Sequence, residues 1–152
     1  MISSALIETP KLVIADEPTP GLDPKLARRA MEHFRQLADM GAAVLIITHD
    51  LELALDTADR IQVFYAGYTI EDAMAEDFAK EETLRHPYTR ALWRAMPRNG
   101  FHYINGVQPY ARDMKPGCPF APRCEKCMDR CQEKEVPWRS SGNGYVRCVY
   151  DS

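Results

Sequence analysis

Leu12-Val13-Ile14-Ala15-Asp16-Glu17-Pro18-Thr19, followed by Gly21-Leu22-Asp23-Pro24, is the stretch on which the reading of this chain turns. Four apolar or small residues carry a strand inward, and two adjacent carboxylates stand at its end. In a site that hydrolyses a nucleotide, the first carboxylate can hold Mg²⁺ directly or through water, and the second can polarise the water that attacks the γ-phosphate. An acidic strand end by itself is often only a solvated turn. Here a second apolar run ends in Ile46-Ile47-Thr48-His49-Asp50, which would set a histidine at the carboxyl edge of the same sheet, where ligands sit in open α/β folds.

Working outward, the pattern up to residue 85 alternates short β-rich runs with helical ones, which predicts βαβ units and a parallel sheet. Leu12–Asp16 and Ala43–Thr48 read as strands. Lys25–Met40 reads as a helix with Leu26, Ala30, Phe34 and Leu37 on one face and Gly41 as its stop. Asp50 suits the N-cap of a helix over Leu51–Ala58, and Arg60–Ala66 with Tyr68–Glu71 reads as a hairpin turning at Gly67. A short helix is expected over Ala75–Leu84, ended by His86-Pro87, and another over Tyr88–Ala95. Beyond residue 86 lie seven of the eleven prolines and five of the eight glycines, and residues 99–122 show no sustained periodicity. The fold expected is therefore α/β: a partial parallel-sheet core over residues 1–85 and a small irregular Cys-rich extension over 86–152.

Composition narrows the chemistry. Nineteen basic against 22 acidic residues leave a net charge of −3, which favours neither nucleic acid nor an anionic membrane as the main partner. Arg94 and Arg98 around Trp93 are too little for a nucleic-acid surface. No apolar run approaches the roughly 20 residues that span a bilayer, and no basic and apolar leader pattern opens the sequence. None of the eight glycines is followed by lysine, so the Gly-rich phosphate cradle of a P-loop is not in these residues. Ser141-Gly142-Asn143-Gly144 mimics a Leu-Ser-Gly-Gly signature only superficially.

The five cysteines are spaced Cys118-x₅-Cys124-x₂-Cys127-x₃-Cys131-x₁₆-Cys148, and their crowding suggests a metal site in a reducing compartment. Four thiolates together suit tetrahedral Zn²⁺ or a [4Fe–4S] cluster. The absence of two well-separated Cys-x₂-Cys knuckles weakens zinc. Pro119 and Pro122 would stiffen the loop, and Arg123 would either offset the charge of bound thiolates or sit in solvent.

Together, Leu12–Thr19, Leu22-Asp23 and Ile46–Asp50 resemble the Walker B strand, D-loop and switch histidine of ABC-transporter ATPases. Arg85-His86-Pro87-Tyr88-Thr89-Arg90-Ala91-Leu92, Ile104–Pro109 and Gly117-Cys118-Pro119-Phe120-Ala121-Pro122-Arg123-Cys124 are similar to the segments that follow the ATPase core in oligopeptide, dipeptide and nickel importers. The resemblance covers essentially the whole chain and implies the C-terminal part of such an ATPase: residues 1–85 from the nucleotide-binding domain, with Met1–Pro10 as the tail of the helix after the signature, and residues 86–152 as the transporter-type extension. It implies that Glu17 is the catalytic carboxylate, that His49 contacts the γ-phosphate and positions Glu17, that Asp16 holds the Mg²⁺ shell of ATP, and that Asp23 reaches across to a second ATPase subunit. Pro20-Gly21 departs from the small residues that relatives often carry there. The resemblance also favours a [4Fe–4S] cluster on Cys118, Cys124, Cys131 and Cys148, with Cys127 spare and Zn²⁺ as the alternative. The partners implied are a second ATPase subunit, transmembrane permease subunits and, indirectly, an extracytoplasmic solute-binding protein, with no nucleic acid. The location implied is cytoplasmic, on the inner face of the membrane. The chain alone is expected to be inactive; the competing reading is a non-catalytic metal-binding or assembly module from a truncated gene.

Overall fold

The computed structural model describes residues 10–110, 112 and 116–150, so most of the helix tail expected over Met1–Pro10 lies outside the described residues. The chain forms two compact units, one ending at Ala58 and the other beginning at Asp59. The change in composition near residue 86 does not mark this division. The reason is in the pairing: the hairpin that starts at Arg60 shares a sheet with residues near the far end of the chain.

In the first unit β1 (Leu12–Asp16) runs parallel to β2 (Ala43–Ile47), in register from Leu12 opposite Ala43 to Asp16 opposite Ile47. α1 (Pro24–Asp39) connects them. Asp23 caps it, its Oδ1 accepting the backbone N–H groups of Lys25 and Leu26 at 3.0 and 3.1 Å, and Pro24 fills the first turn, where no N–H is needed. Ala27, Ala30, Met31, Phe34 and Leu37 form its buried stripe, whereas Leu26 stays exposed at the stripe's edge. Met31, Phe34 and Leu37 pack on Val13, Ala15, Val44 and Ile46, and on Leu53 of α2 (Leu51–Thr57). Strand alternation sends Leu12, Ile14, Leu45 and Ile47 to the opposite face, which is exposed.

The second unit is an antiparallel sheet in the order β3-β4-β6-β5: β3 (Arg60–Tyr65), β4 (Tyr68–Met74), β5 (Arg139–Ser141) and β6 (Gly144–Val146). β3 and β4 turn through Ala66-Gly67, and a bulge falls between Val63 and Phe64. The β5–β6 hairpin was not legible in the sequence, because three residues cannot show alternation. Its turn contains Gly142-Asn143, so the stretch resembling a signature is part of a hairpin. A Cβ on Gly144 would run into the Asp72 carbonyl, so glycine lets β6 approach β4.

The helix expected over Ala75–Leu84 is instead two 3₁₀ turns, Ala75–Ala79 and Glu81–Thr83, interrupted at an extended Lys80. Local bonds compete with the helix: Asp77 accepts the Met74 N–H, and the Thr83 hydroxyl donates to the Asp77 and Lys80 carbonyls. His86-Pro87 does not end a helix but begins one. His86 caps α3 (Pro87–Ala95), and Pro87 occupies its first turn. α4 (Arg130–Glu133) is a single turn. Phe101, Tyr103 and Tyr110 are exposed. Among the described residues no helix is long and apolar enough to cross a membrane.

Candidate functional site

Each unit carries one group of residues singled out from the sequence. In the first, Asp16 closes β1 and Glu17 follows it with φ +44°, a left-handed conformation that only a few per cent of non-glycine residues adopt. The Glu17 N–H still donates to the Ile47 carbonyl at 2.9 Å, extending the parallel pairing one residue beyond the strand while the chain turns. On the neighbouring strand, the Asp50 N–H donates to Thr48 Oγ1 at 3.1 Å, and Asp50 accepts the Leu53 N–H at 3.1 Å as the cap of α2. These bonds shape the turn that carries His49.

The two site side chains then meet: His49 Nδ1 lies 2.9 Å from Glu17 Oε1. The hydrogen bond to Glu17, and then its charge, raise the His49 pKa above the ordinary value, although the imidazole is 81% exposed. The other carboxylate oxygen, Glu17 Oε2, is buried without a hydrogen-bond partner. Glu17 thus has one tethered oxygen and one desolvated oxygen left to accept a proton donor such as water. This donor set suits a magnesium nucleotide, with an exposed carboxylate at Asp16 and a histidine facing solvent beside Glu17. Asp23 stands in its own helix cap; the structure brings it to no other site residue.

In the second unit Cys118, Cys124, Cys131 and Cys148 line one cavity together with His86, Pro87, Ala121, Val136 and Tyr150, and Cys127 does not line it. All five cysteines are free of disulfides. Two of the cavity-lining sulfurs accept a backbone N–H at 3.4 Å, Cys131 from Met128 and Cys148 from Tyr150, and the backbones of Phe120 and Lys126 act in the same sense on Cys118 and Cys124. Such bonds favour the thiolate. Burial opposes them and dominates, pushing the Cys118 and Cys124 thiols up to about 11, and raising Cys148 as well, with the neighbouring sulfurs adding to the shift. Cys127 instead points its thiol at the Met128 carbonyl, 3.8 Å away.

The loop is held from behind. The Cys118 N–H donates to the Cys131 carbonyl at 2.7 Å, and a Cβ on Gly117, at φ +111°, would strike that same carbonyl. Arg139 Nε donates to the Cys148 carbonyl at 2.9 Å and Arg130 Nη2 to the Val149 carbonyl at 2.7 Å. Arg123 faces neither sulfur nor bulk water alone. It donates to Tyr65 Oη at 3.0 Å and to the carbonyls of Ile104 and Asn105 at 3.0 and 2.6 Å, pinning the irregular segment to the sheet. The sulfurs surround a void of only about 10 Å³, the room of one water. Among the described residues no group of three or more His, Cys, Asp and Glu side chains is arranged to hold a metal ion. In residue type the four free thiols suit a thiolate-bound group, and the void would have to widen to admit one.

Sequence reasoning missed Glu71 and the part played by His86. Glu71, fully buried in β4, accepts the Arg85 N–H at 2.9 Å and the His86 N–H at 2.7 Å, with the Arg85 guanidinium 3.7 Å away. Burial pushes the His86 pKa down to about 4. A buried acid in a strand of mixed polarity gives no sequence signal.

The family description "Oligopeptide/dipeptide transporter, C-terminal region" matches residues 70–131. The chain is 37% identical over 155 residues to an oligopeptide transport ATP-binding protein, AppD of Bacillus subtilis, covering 97% of this chain and 47% of that protein. It is 36% identical over 154 residues to the dipeptide transport ATP-binding protein DppD of Haemophilus influenzae, covering 97% and 46% respectively. With the oligopeptide transport ATP-binding protein OppD of Mycobacterium tuberculosis it shares 39% over 142 residues, 89% of this chain and 23% of that one. The chain thus spans about half the length of the first two relatives and less of the third.

Proposed function

Because this chain matches the C-terminal part of ATP-binding proteins of oligopeptide and dipeptide ABC transporters, we propose that it supplies the Walker B side of an ATPase site that drives solute import. The observation that carries the reading is the 2.9 Å contact between Glu17 and His49 at the carboxyl ends of two adjacent parallel strands. Asp16 would hold the Mg²⁺ that accompanies the nucleotide, directly or through water. Glu17 orients the attacking water through Oε2 and takes its proton, while His49 fixes Oε1 and reaches toward the γ-phosphate. Asp23 contacts the opposite site across an ATPase dimer, and its use as a helix cap is compatible with that. The partners are a second ATPase subunit, the permease subunits and, through them, a solute-binding protein. The protein works on the cytoplasmic face of the membrane, and peptides or nickel are the solutes.

In this reading Cys118, Cys124, Cys131 and Cys148 would hold a [4Fe–4S] cluster, supported by their shared cavity and by the backbone N–H groups that Cys131 and Cys148 accept. When bound, such a group would supply one-electron redox capacity, and the four thiols would hold it. The void is smaller than a cluster, so the loops that carry the sulfurs would have to part to admit one.

The experiment compares the 152-residue polypeptide alone with the same polypeptide joined to, or co-expressed with, one bearing a P-loop. Alone it should show no measurable ATPase activity and bind Mg-ATP poorly by calorimetry, since no Gly-rich cradle with its lysine lies in these residues. Together they should hydrolyse ATP. Tight Mg-ATP binding by the polypeptide alone contradicts the assignment, and metal binding with no ATPase under either condition favours the assembly-module reading. Protein prepared without oxygen should be brown, absorb broadly near about 400 nm and carry about four irons. Stoichiometric zinc without iron would replace the cluster by a zinc site.

A further inference from the structure

We propose that His86 donates its Nε2–H to the sulfur of Cys118, so that a buried imidazole orients this thiolate and tunes the group bound to it. The tautomer follows from geometry. His86 Nδ1 lies 3.0 Å from the backbone nitrogen of Tyr88, which can only donate; Nδ1 therefore carries a lone pair, and the proton of the neutral ring sits on Nε2. Nε2 is 3.7 Å from Cys118 Sγ, within reach of an N–H···S bond.

The ring is held from three sides. Glu71 takes the backbone N–H groups of Arg85 and His86 on its two oxygens, fixing the turn to β4. Pro87 opens α3 immediately afterward. The Phe120 ring, 6.0 Å from the imidazole centre, closes another side. His86 is 1% exposed, so bulk water does not reach Nε2. Cys118 thus receives a backbone donor from Phe120 and a ring donor from His86. Donors to a ligating sulfur stabilise the more negative, reduced state of an iron–sulfur group and so raise its reduction potential. His86 is a positioning residue in this scheme, not a ligand. The redox part rests on the cluster reading given above; the tautomer does not.

Two measurements on the full chain separate these parts. In metal-free, reduced protein, ¹⁵N NMR of His86 should show the Nε2–H tautomer with a slowly exchanging ring proton. An Nδ1–H tautomer overturns the proposal whatever metal the site takes. In anaerobically reconstituted protein, His86→Leu should make the reduction potential more negative, while His86→Gln, whose amide N–H can replace Nε2–H, should stay nearer the wild type. Equal potentials in wild type and His86→Leu at equal iron content overturn the proposal. If His86→Leu fails to fold, a His86→Gln potential matching the wild type supports the donor role and the tautomer still decides it. Wild type that takes up no iron refutes the cluster reading alone and leaves the donor to the NMR result.

Discussion

The two units cover their sheets in opposite ways. In the first, two parallel strands are covered by α1 and α2 on one face, and Leu12, Ile14, Leu45 and Ile47 on the other are 57, 61, 51 and 50% exposed. In the second, antiparallel strands close over a core in which Ile70, Ala73, Leu84 and Val146 are fully buried. Parallel sheets are stable when both faces are covered, whereas hairpins find their partners locally. The chemistry follows the same division. Glu17 and His49 meet at strand ends where the imidazole is exposed, whereas four of the cysteines are half-buried or buried around one small cavity.

The largest effect that could break this contrast is catalytic. In protein completed by a P-loop half, Glu17→Gln should lower ATP turnover by about 10²- to 10⁴-fold while leaving ATP binding nearly unchanged. Steady-state rates alongside calorimetry test it, and unaltered turnover removes Glu17 from its role. The same substitution should leave the iron content of the second unit intact.

Next in size is the loss of the bound group. Cys124→Ser should abolish iron binding, and Cys127→Ser should leave it near the wild-type stoichiometry. Iron analysis of anaerobic preparations distinguishes them; equal loss in both would make Cys127 a ligand.

Packing gives a smaller and directly comparative effect. Phe78→Ala, in the buried core of the second unit, should cost about 3–5 kcal/mol in urea unfolding. Ile14→Ala, on the exposed face of β1, should change stability by within about 0.5 kcal/mol. An exposed apolar strand face favours self-association, so the chain should show concentration-dependent light scattering that Ile14→Lys reduces. Scattering absent, or unchanged by Ile14→Lys, would show that this face does not act as a contact.

The smallest effect is a titration. His49 should titrate above 6.5, and Glu17→Gln should bring its midpoint back toward that value, as followed by ring-proton NMR. Because the folded value is raised, the associated stabilisation is complete below the unfolded pKa and disappears as pH rises through the folded one. A midpoint insensitive to Glu17→Gln would mean that the contact does not persist in solution.

Much of the first unit was legible because its elements are long enough to show their period. β1, α1, β2 and the Asp50 cap stand close to where apolar spacing and capping residues set them, and the strand order brought Glu17 to His49. Leu26 was misplaced because a helix stripe read from spacing alone has uncertain edges. In the second unit the signal lay in local bonds. The 3₁₀ turns at Ala75–Thr83 depend on Asp77 and Thr83, His86 proved to be a cap, and β6 is fixed by pairing with a distant strand. The four cysteines that the resemblance singled out line one cavity, but the cysteine pattern carries no trace of Glu71, whose contribution consists of two backbone N–H bonds across the fold.

The pairing of β6 with β4 imposes an order in time. β4 emerges from synthesis well before β6, and Cys148 lies two residues beyond β6, so three of the cavity's sulfurs exist long before the fourth can join them. Until that pairing forms, the β4 edge that β6 occupies is open and Cys148 is not held beside the other three sulfurs, a non-local closure of the kind that slows folding. The pairing that completes the sheet thus also delivers the last thiol of the cavity.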